Sequence, residues 1–416
     1  MVMPSPSHNN ENENEDDDML SALPDHVLVD IVHRLDLRTV MRVSTLSTRR
    51  LLAPTGERAI NVLHLRFFLT DPHLESIGSM VTSVLERGHT MYLELEFVVV
   101  TELHDVQCDE EDNLLFGQRF IKFNMRFSEY DMPNLLNACD QLQRLCIESC
   151  DSGRQSVLRI DAPRSRLVEL VFEFCGYAQI ELVRVPKLLH VVYDTWMGES
   201  PPIVFGHVPS LCSIDFGCAI MHWQPPFVLS KWLSGTRLET VSMDLHDWMI
   251  WIKPEDPKLL QPIFSNLIDL YLSNIFAECG LEWTICLLEA APSLKNFFLT
   301  ISRHVCGRNG YVDNAEKVSV SWESSSSGFK HCNLKLLDIV GFEMDCKMMK
   351  YIRLVTGCAT RLRMICLHDK EPCDKCDAMH LEAPSGSSFP ADEGDKNPVR
   401  EQLTDGLSSA IEIVIE

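Results

Sequence analysis

The sequence is notable first for what it lacks. No apolar stretch approaches the roughly 20 residues that a membrane-crossing helix needs, so no membrane partner is expected. The N-terminus, MVMPSPSHNN followed by ENENEDDD, has no basic segment leading into an apolar run. No secretory signal is readable there, and a cytoplasmic or nuclear location, or both, is the expectation. Positive charge is scarce: 37 Lys and Arg stand against 60 Asp and Glu, a net of −23. Nucleic acid and anionic membranes are thereby disfavoured as main partners, because their phosphates repel such a chain. No G-x-S-x-G elbow, H-E-x-x-H pair or G-x-x-x-x-G-K-[ST] phosphate loop occurs. No catalytic residue is therefore assigned, no cofactor or metal is expected, and the chain is expected not to be an enzyme.

What is present divides the 416 residues into a small module and a larger body. The apolar fraction of 45% is enough for a buried core. In a reducing compartment the 16 cysteines are expected to stay thiols, most of them small buried hydrophobes. Residues 1–18 end in Glu11, Glu13, Glu15 and Asp16 to Asp18, a run that cannot bury apolar surface and is expected to be a disordered acidic tail. Leu23, Val27, Leu28, Ile31 and Leu35 then recur at helical spacing, with Pro24 suited to a first turn. A second short helix would carry Val40, Val43 and Leu46, and a further amphipathic helix is expected over 74–87.

From about residue 90 the template L-x-x-L-x-L recurs, read with any apolar residue at each L. It starts at Leu142, Leu167, Leu188, Leu211, Leu238, Leu267, Leu294, Leu334 and Leu362, with a weaker member at Tyr92. Composition alone could generate such matches; their spacing is the stronger sign. From Leu142 on, successive starts are 21 to 29 residues apart, except for 40 between Leu294 and Leu334, and most fall in the range of leucine-rich repeats. Breakers precede most copies, as in DAPRSRL, RVPKL, HVPSL, SGTRL and AAPSL, and Cys150 and Cys175 stand where that repeat takes Asn or Cys. Each unit would supply a short strand and a helical or irregular return, burying its leucines only by stacking on its neighbours. The long interval holds the Ser-rich NGYVDNAEKVSVSWESSSSGF, read as an insertion; 383–399 reads as a flexible linker, and AIEIVIE as a last strand within a terminal segment, 400–416.

The stretch LPDHVLVDIVHRLDLRTVMRVSTLSTRR resembles the F-box motif, and HCNLKLLDIVGFEMDCKMMKYIRLVTGCATRLRMICLHDKEPCDKC resembles the FBD-like C-terminal region of plant, grass-type F-box/leucine-rich-repeat proteins. The resemblance implies an α/β (α+β repeat) fold: a helical F-box over 19–56, then a leucine-rich-repeat solenoid, a horseshoe or arc with a strand per repeat, over 74–305, and FBD-like repeats over 320–380. It implies a non-catalytic adaptor that binds a Skp-type adaptor, and through it a cullin–RING ubiquitin ligase, while the repeats hold an unknown protein substrate. The adaptor contact would fall on Leu23, Pro24, Val27, Leu28, Ile31 and Leu35; packing within the module or on the repeats is the other reading of that face. Arg49 and Arg50 run into Leu51, Leu52, Ala53 and Pro54 without the family's tryptophan, so the F-box reads as truncated at its C-terminal end. A repeat scaffold without ligase coupling is therefore the alternative.

Two further clusters stand out. Cys373 and Cys376 have C-x-x-C spacing, with Cys366, His368 and His380 nearby. Zinc or redox chemistry is one reading and surface thiols on a loop the other. Trp248 and Trp251 would line a binding surface or pack in the core, and His246 and Asp247 read as the exit from a strand. The variable strand positions Val171, Asp215, Ser242, Tyr271, Phe298 and Asp338 carry no clear charge theme.

Overall fold

Proline turns start the repeating unit. In Ala162–Ser165, Val185–Leu188, Val208–Leu211 and Ala291–Leu294 the second residue is proline, and the fourth donates its N–H to the first residue's carbonyl at 3.1–3.2 Å. Proline presets the backbone angle that this turn position needs. A strand begins a few residues later, two residues after each template leucine. The computed structural model describes residues 62–68, 92–98, 136, 142–148, 157–196, 200–218, 227–246, 250–304, 328–373, 376, 389–390, 392–404 and 411–416, with 62–68, 92–98, 148 and 218 as backbone only. The chain divides into two units, Met1–Ala59 and Ile60–Glu416, and all described residues belong to the second. The acidic tail, the F-box stretch with its six adaptor-contact residues, the helix expected over 74–87 and most of the Ser-rich insertion therefore lie outside the described residues.

The described residues have mixed α/β character built on a parallel sheet. The strands are β1 (Val62–Phe68), β2 (Tyr92–Val98), β3 (Arg144–Glu148), β4 (Val157–Asp161), β5 (Glu169–Glu173), β6 (Gln179–Arg184), β7 (His190–Trp196), β8 (Ile203–His207), β9 (Ser213–Cys218), β10 (Thr240–Asp244), β11 (Asp269–Phe276), β12 (Asn296–Ser302), β13 (Leu336–Val340), β14 (Met364–His368) and β15 (Glu412–Ile415). Twelve of them form one sheet in the order β1-β2-β3-β5-β7-β9-β10-β11-β12-β13-β14-β15, and β4-β6-β8 form a second. Neighbours pair in parallel in both sheets, as in Leu170↔Val191 and Leu337↔Ile365. In the large sheet the second and fourth residues of each strand from β3 on point inward. Leu145 and Ile147, Leu170 and Phe172, Phe297 and Leu299, and Ile413 and Ile415 are all buried. The leucines at 142, 167, 188, 238, 267, 294 and 334 are fully buried beneath them.

Interval length decides the return. The starts at Leu142, Leu167, Leu188 and Leu211 lie 21 to 25 residues apart, and their returns are the strands β4, β6 and β8. Where starts are 27 to 29 apart the return is a helix: α1 (Leu229–Trp232), α2 (Pro257–Phe264), α3 (Thr284–Ala290) and α4 (Cys346–Cys358). An extended chain covers about 3.3 Å per residue and a helix 1.5 Å, so the shorter intervals can recross the layer only as strand. The helices carry their own start signals. Asp256 accepts from Lys258 N ahead of Pro257, and Asp345 accepts from Met348 N at 2.7 Å.

Strand ends turn on left-handed residues: Phe174, Thr195, Asn274 and Gly341 have φ of 50°, 60°, 53° and 76°, each one residue beyond a five-residue core of the strand register. In β7 and β11 the pairing register breaks at that residue. At Gly341 the reason for glycine is also steric, because a Cβ would lie 2.3 Å from the Ile301 carbonyl oxygen.

The structure departs from the sequence-based expectations in several places. β1 precedes residue 74, where repeats were expected to begin. The template at Tyr92 is displaced by two residues: Tyr92 pairs with Arg144, so Leu93 and Leu95 are the counterparts of Leu145 and Ile147. Period-two alternation reads the same after a two-residue shift. The expected division between 305 and 320 does not interrupt the sheet, since β12 pairs directly with β13. The linker expected over 383–399 becomes helix α5 (Glu393–Thr404) from Glu393 on. Asp392 accepts from Asp395 N at 3.0 Å, and Val399 and Leu403, one turn apart, are buried. That cap and that pair outweigh Pro398 and the polar composition. Among the described residues no helix is long and apolar enough to cross a membrane.

Candidate functional site

Among the described residues, the exposed face of the twelve-stranded sheet is a wide array of positioned polar groups. The first, third and fifth residues of each strand register point to it, and most are half-buried. Among the side chains described in the strands from β3 to β15, these positions carry the carboxylates of Glu169, Asp269 and Glu412 in the first row. Asp215 and Asp338 stand in the central row, and Glu173, Asp194 and Asp244 in the last. Against these eight stands one guanidinium, Arg144, which pairs with Glu169 at 3.3 Å. The whole chain carries 60 acids to 37 bases, so the excess on this face exceeds composition. Neighbouring strands lie about 4.8 Å apart, so the carboxylates form a field rather than isolated points.

The field is most structured at the ends of β7, β9, β10 and β11. Asp194 and Asp244 bracket the His246 ring, with Nε2 3.8 Å from Asp194 Oδ1 and Nδ1 3.7 Å from Asp244 Oδ1. His246 takes a left-handed φ of 49°, which lets its N–H donate to Asp244 Oδ1 at 2.7 Å. Asn274 Nδ2 donates to both oxygens of Asp244, at 3.0 and 2.9 Å. Gly217 lies between them, and a Cβ there would come 2.6 Å from Asp194 Oδ1 and 2.8 Å from His246 Nε2. The notch therefore depends on glycine. Beside it Tyr271 and Phe298 stack face to face, centroids 4.4 Å apart and planes 3° from parallel. Burial, then the Asp269 charge, pushes the Tyr271 phenol up, so it stays neutral and available as a hydrogen-bond donor. Acids around a flat aromatic platform suit a cationic side chain.

The sequence clusters separate in space. Cys366 and His368 lie on β14 and face Asp338 on β13, with His368 Nε2 3.4 Å from Asp338 Oδ2. Burial, then the charges of Asp338, Glu416 and Glu412, pushes the Cys366 thiol up. Cys373 and Cys376 belong to a different group, with His304, whose potential ligand atoms all lie within 4.8 Å of one another. His304 follows β12 and was not among the residues singled out from the sequence, because about seventy residues separate it from the cysteine pair. His380 lies outside the described residues.

Trp251 takes the core reading. It is buried against Phe227 and Trp232, and its Nε1 donates to the Asp244 carbonyl at 3.3 Å. Trp248 and Asp247 lie outside the described residues. Cys175 is buried at the expected corner position and donates to the Ile147 carbonyl at 3.2 Å, while Cys150 is outside the described residues. The acidic theme escaped the sequence reading because only the central row was considered. Counting the rows on either side would have revealed it.

No family model matches the sequence, and no curated protein matches it.

Proposed function

We propose that the chain is a substrate-recognition adaptor of an SCF-type cullin–RING ubiquitin ligase, itself without catalytic activity and acting in the cytoplasm or nucleus. In this reading the F-box-like stretch engages a Skp-type adaptor through Leu23, Pro24, Val27, Leu28, Ile31 and Leu35. The body is a leucine-rich-repeat solenoid that presents its strand face to a protein target. The observation that carries the proposal is the acidic face of a sheet with one strand per template copy, on a chain whose N-terminal stretch has an F-box pattern. A face whose described side chains from β3 to β15 include eight carboxylates and one paired guanidinium favours a target segment rich in Lys and Arg.

Co-expression with a Skp-type adaptor tests the ligase half. The full chain is expected to co-purify with the adaptor, and the Leu28→Asp, Ile31→Asp double variant to lose it while keeping the far-ultraviolet spectrum. Adaptor retained by the double variant would refute the assigned contact. A folded wild-type chain that captures no adaptor would favour the uncoupled scaffold, the reading that the sequence after Arg50 motivates.

A further inference from the structure

We infer that His304, Cys373 and Cys376 bind one zinc ion at the C-terminal end of the strands. The three side chains are half-buried, so an ion can reach them from solvent, and their ligand atoms lie within 4.8 Å of one another. Tetrahedral zinc, with Zn–S near 2.3 Å and Zn–N near 2.0 Å, holds its ligand atoms about 3.5–3.8 Å apart. Closing the site needs a movement of about 1 Å, within reach of side-chain rotation.

The chain on both sides is already held in place. Arg303, immediately before His304, donates from Nε to the Gly341 carbonyl at 3.1 Å and pairs with Glu343 at 3.1 Å. On the cysteine side, Gly341 N donates to the Asp369 carbonyl and Phe342 N to that of His368. Both ligand-bearing segments are thus anchored to the same turn after β13, which lowers the entropic cost of assembling the site. Binding converts two thiols to thiolates and releases two protons, so the filled site of one Zn²⁺, two thiolates and a neutral imidazole carries no net charge. A fourth position is left for water. The ion would tie the exit of β12 to the segment after β14 across β13. The inference does not depend on the ligase reading.

The test uses the full chain, purified under reducing conditions, loaded with zinc and dialysed. Metal analysis is expected to give about one zinc per chain, as a single tetrahedral site requires. Retention should fall about tenfold or more in Cys373→Ser, Cys376→Ser and in His304→Ala. It should survive in His304→Cys, which keeps a soft ligand, and in Cys366→Ser, His368→Ala, which alters the neighbouring cluster. Cobalt loading of the wild-type chain should give a thiolate-to-cobalt charge-transfer band and the intense visible bands of a tetrahedral ion. A wild-type chain without zinc, retention in the double-serine variant, or cobalt bound without the thiolate band would each overturn the site. The cobalt result holds even where a variant misfolds.

Discussion

His331 gives the sharpest test of the packing between the returns and the sheet. Its side chain is buried, and its hydrogen bonds fix its protonation. Nδ1 accepts from Leu334 N at 3.0 Å and from Asn333 N at 3.3 Å, so the ring proton sits on Nε2, which donates to the Ala291 carbonyl at 2.9 Å. The ring is therefore neutral, and burial holds its pKa below the ordinary imidazole value, with the Ala291 bond opposing in part. Removing the ring in His331→Ala breaks these three bonds and opens a cavity. At about 1 kcal/mol per net bond, plus the cavity and the stranded buried groups, the cost is about 3–5 kcal/mol. The pH dependence has a definite sign. The unfolded imidazole binds its proton below about pH 6.5 while the folded one resists it, so stability is complete above that value and is lost as pH falls toward the folded pKa. Each pH unit inside that window is worth about 1.4 kcal/mol. Urea unfolding followed by tryptophan fluorescence, at pH 7.5 and at pH 5, should give a wild-type-to-variant gap that is wider at pH 7.5. Comparing chains cancels the other histidines. A gap under about 1 kcal/mol at pH 7.5, or one that widens in acid, would refute the reasoning.

Three further outcomes are expected. Reversing charge on the sheet face, in Asp194→Lys with Asp244→Lys, should weaken binding of a Lys/Arg-rich peptide about tenfold or more in low-salt titration calorimetry and flatten its salt dependence; unchanged affinity would remove the face from recognition. Tyr351→Phe should lower the unfolding free energy by about 1–2 kcal/mol, because Thr284 Oγ1 already donates to the Leu281 carbonyl and so accepts from the buried phenol at 2.7 Å. Asp345→Ala should cost about 1 kcal/mol in the same urea assay by removing the cap of α4, and a neutral result would mean that packing alone holds the helix start.

Much of the strand register was legible in the sequence, because two local signals agree. The proline turns ahead of β5, β7, β9 and β12 fix where those strands start, and the alternation of apolar residues fixes which residues turn inward. At the weakest copy the reading slipped. The sequence before Tyr92, RGHTM, has no proline motif, and alternation alone allowed the two-residue shift that the pairing with Arg144 corrects. The return strands β4, β6 and β8 were not anticipated, although Leu158 and Ile160, and Ile180 and Leu182, alternate as buried pairs. Their choice of strand over helix follows from the short intervals around them, a property of the whole array rather than of any one segment. Helix α5 was hidden by composition: two buried residues, Val399 and Leu403, anchor a helix that is otherwise polar.

The candidate site was less legible, for a geometric reason. A parallel array converts residues about 25 positions apart in sequence into neighbours about 4.8 Å apart, so a charge field is spread thinly along the chain and becomes dense only when the strands are stacked. Asp194, Gly217, Asp244 and Asn274 show this. Each is unremarkable in its own segment, and each sits at the same end of a strand. Gly217 is informative because it lies in a strand whose period calls for a side chain, and the space it leaves is bounded by Asp194 and His246. The same transformation separates what sequence proximity joined: Cys366 and His368, only a few residues from Cys373, face the sheet, while His304 arrives from an earlier strand. In such an array, proximity along the chain is a poor guide to shared chemistry, and the strand register is the frame in which candidate ligands have to be compared.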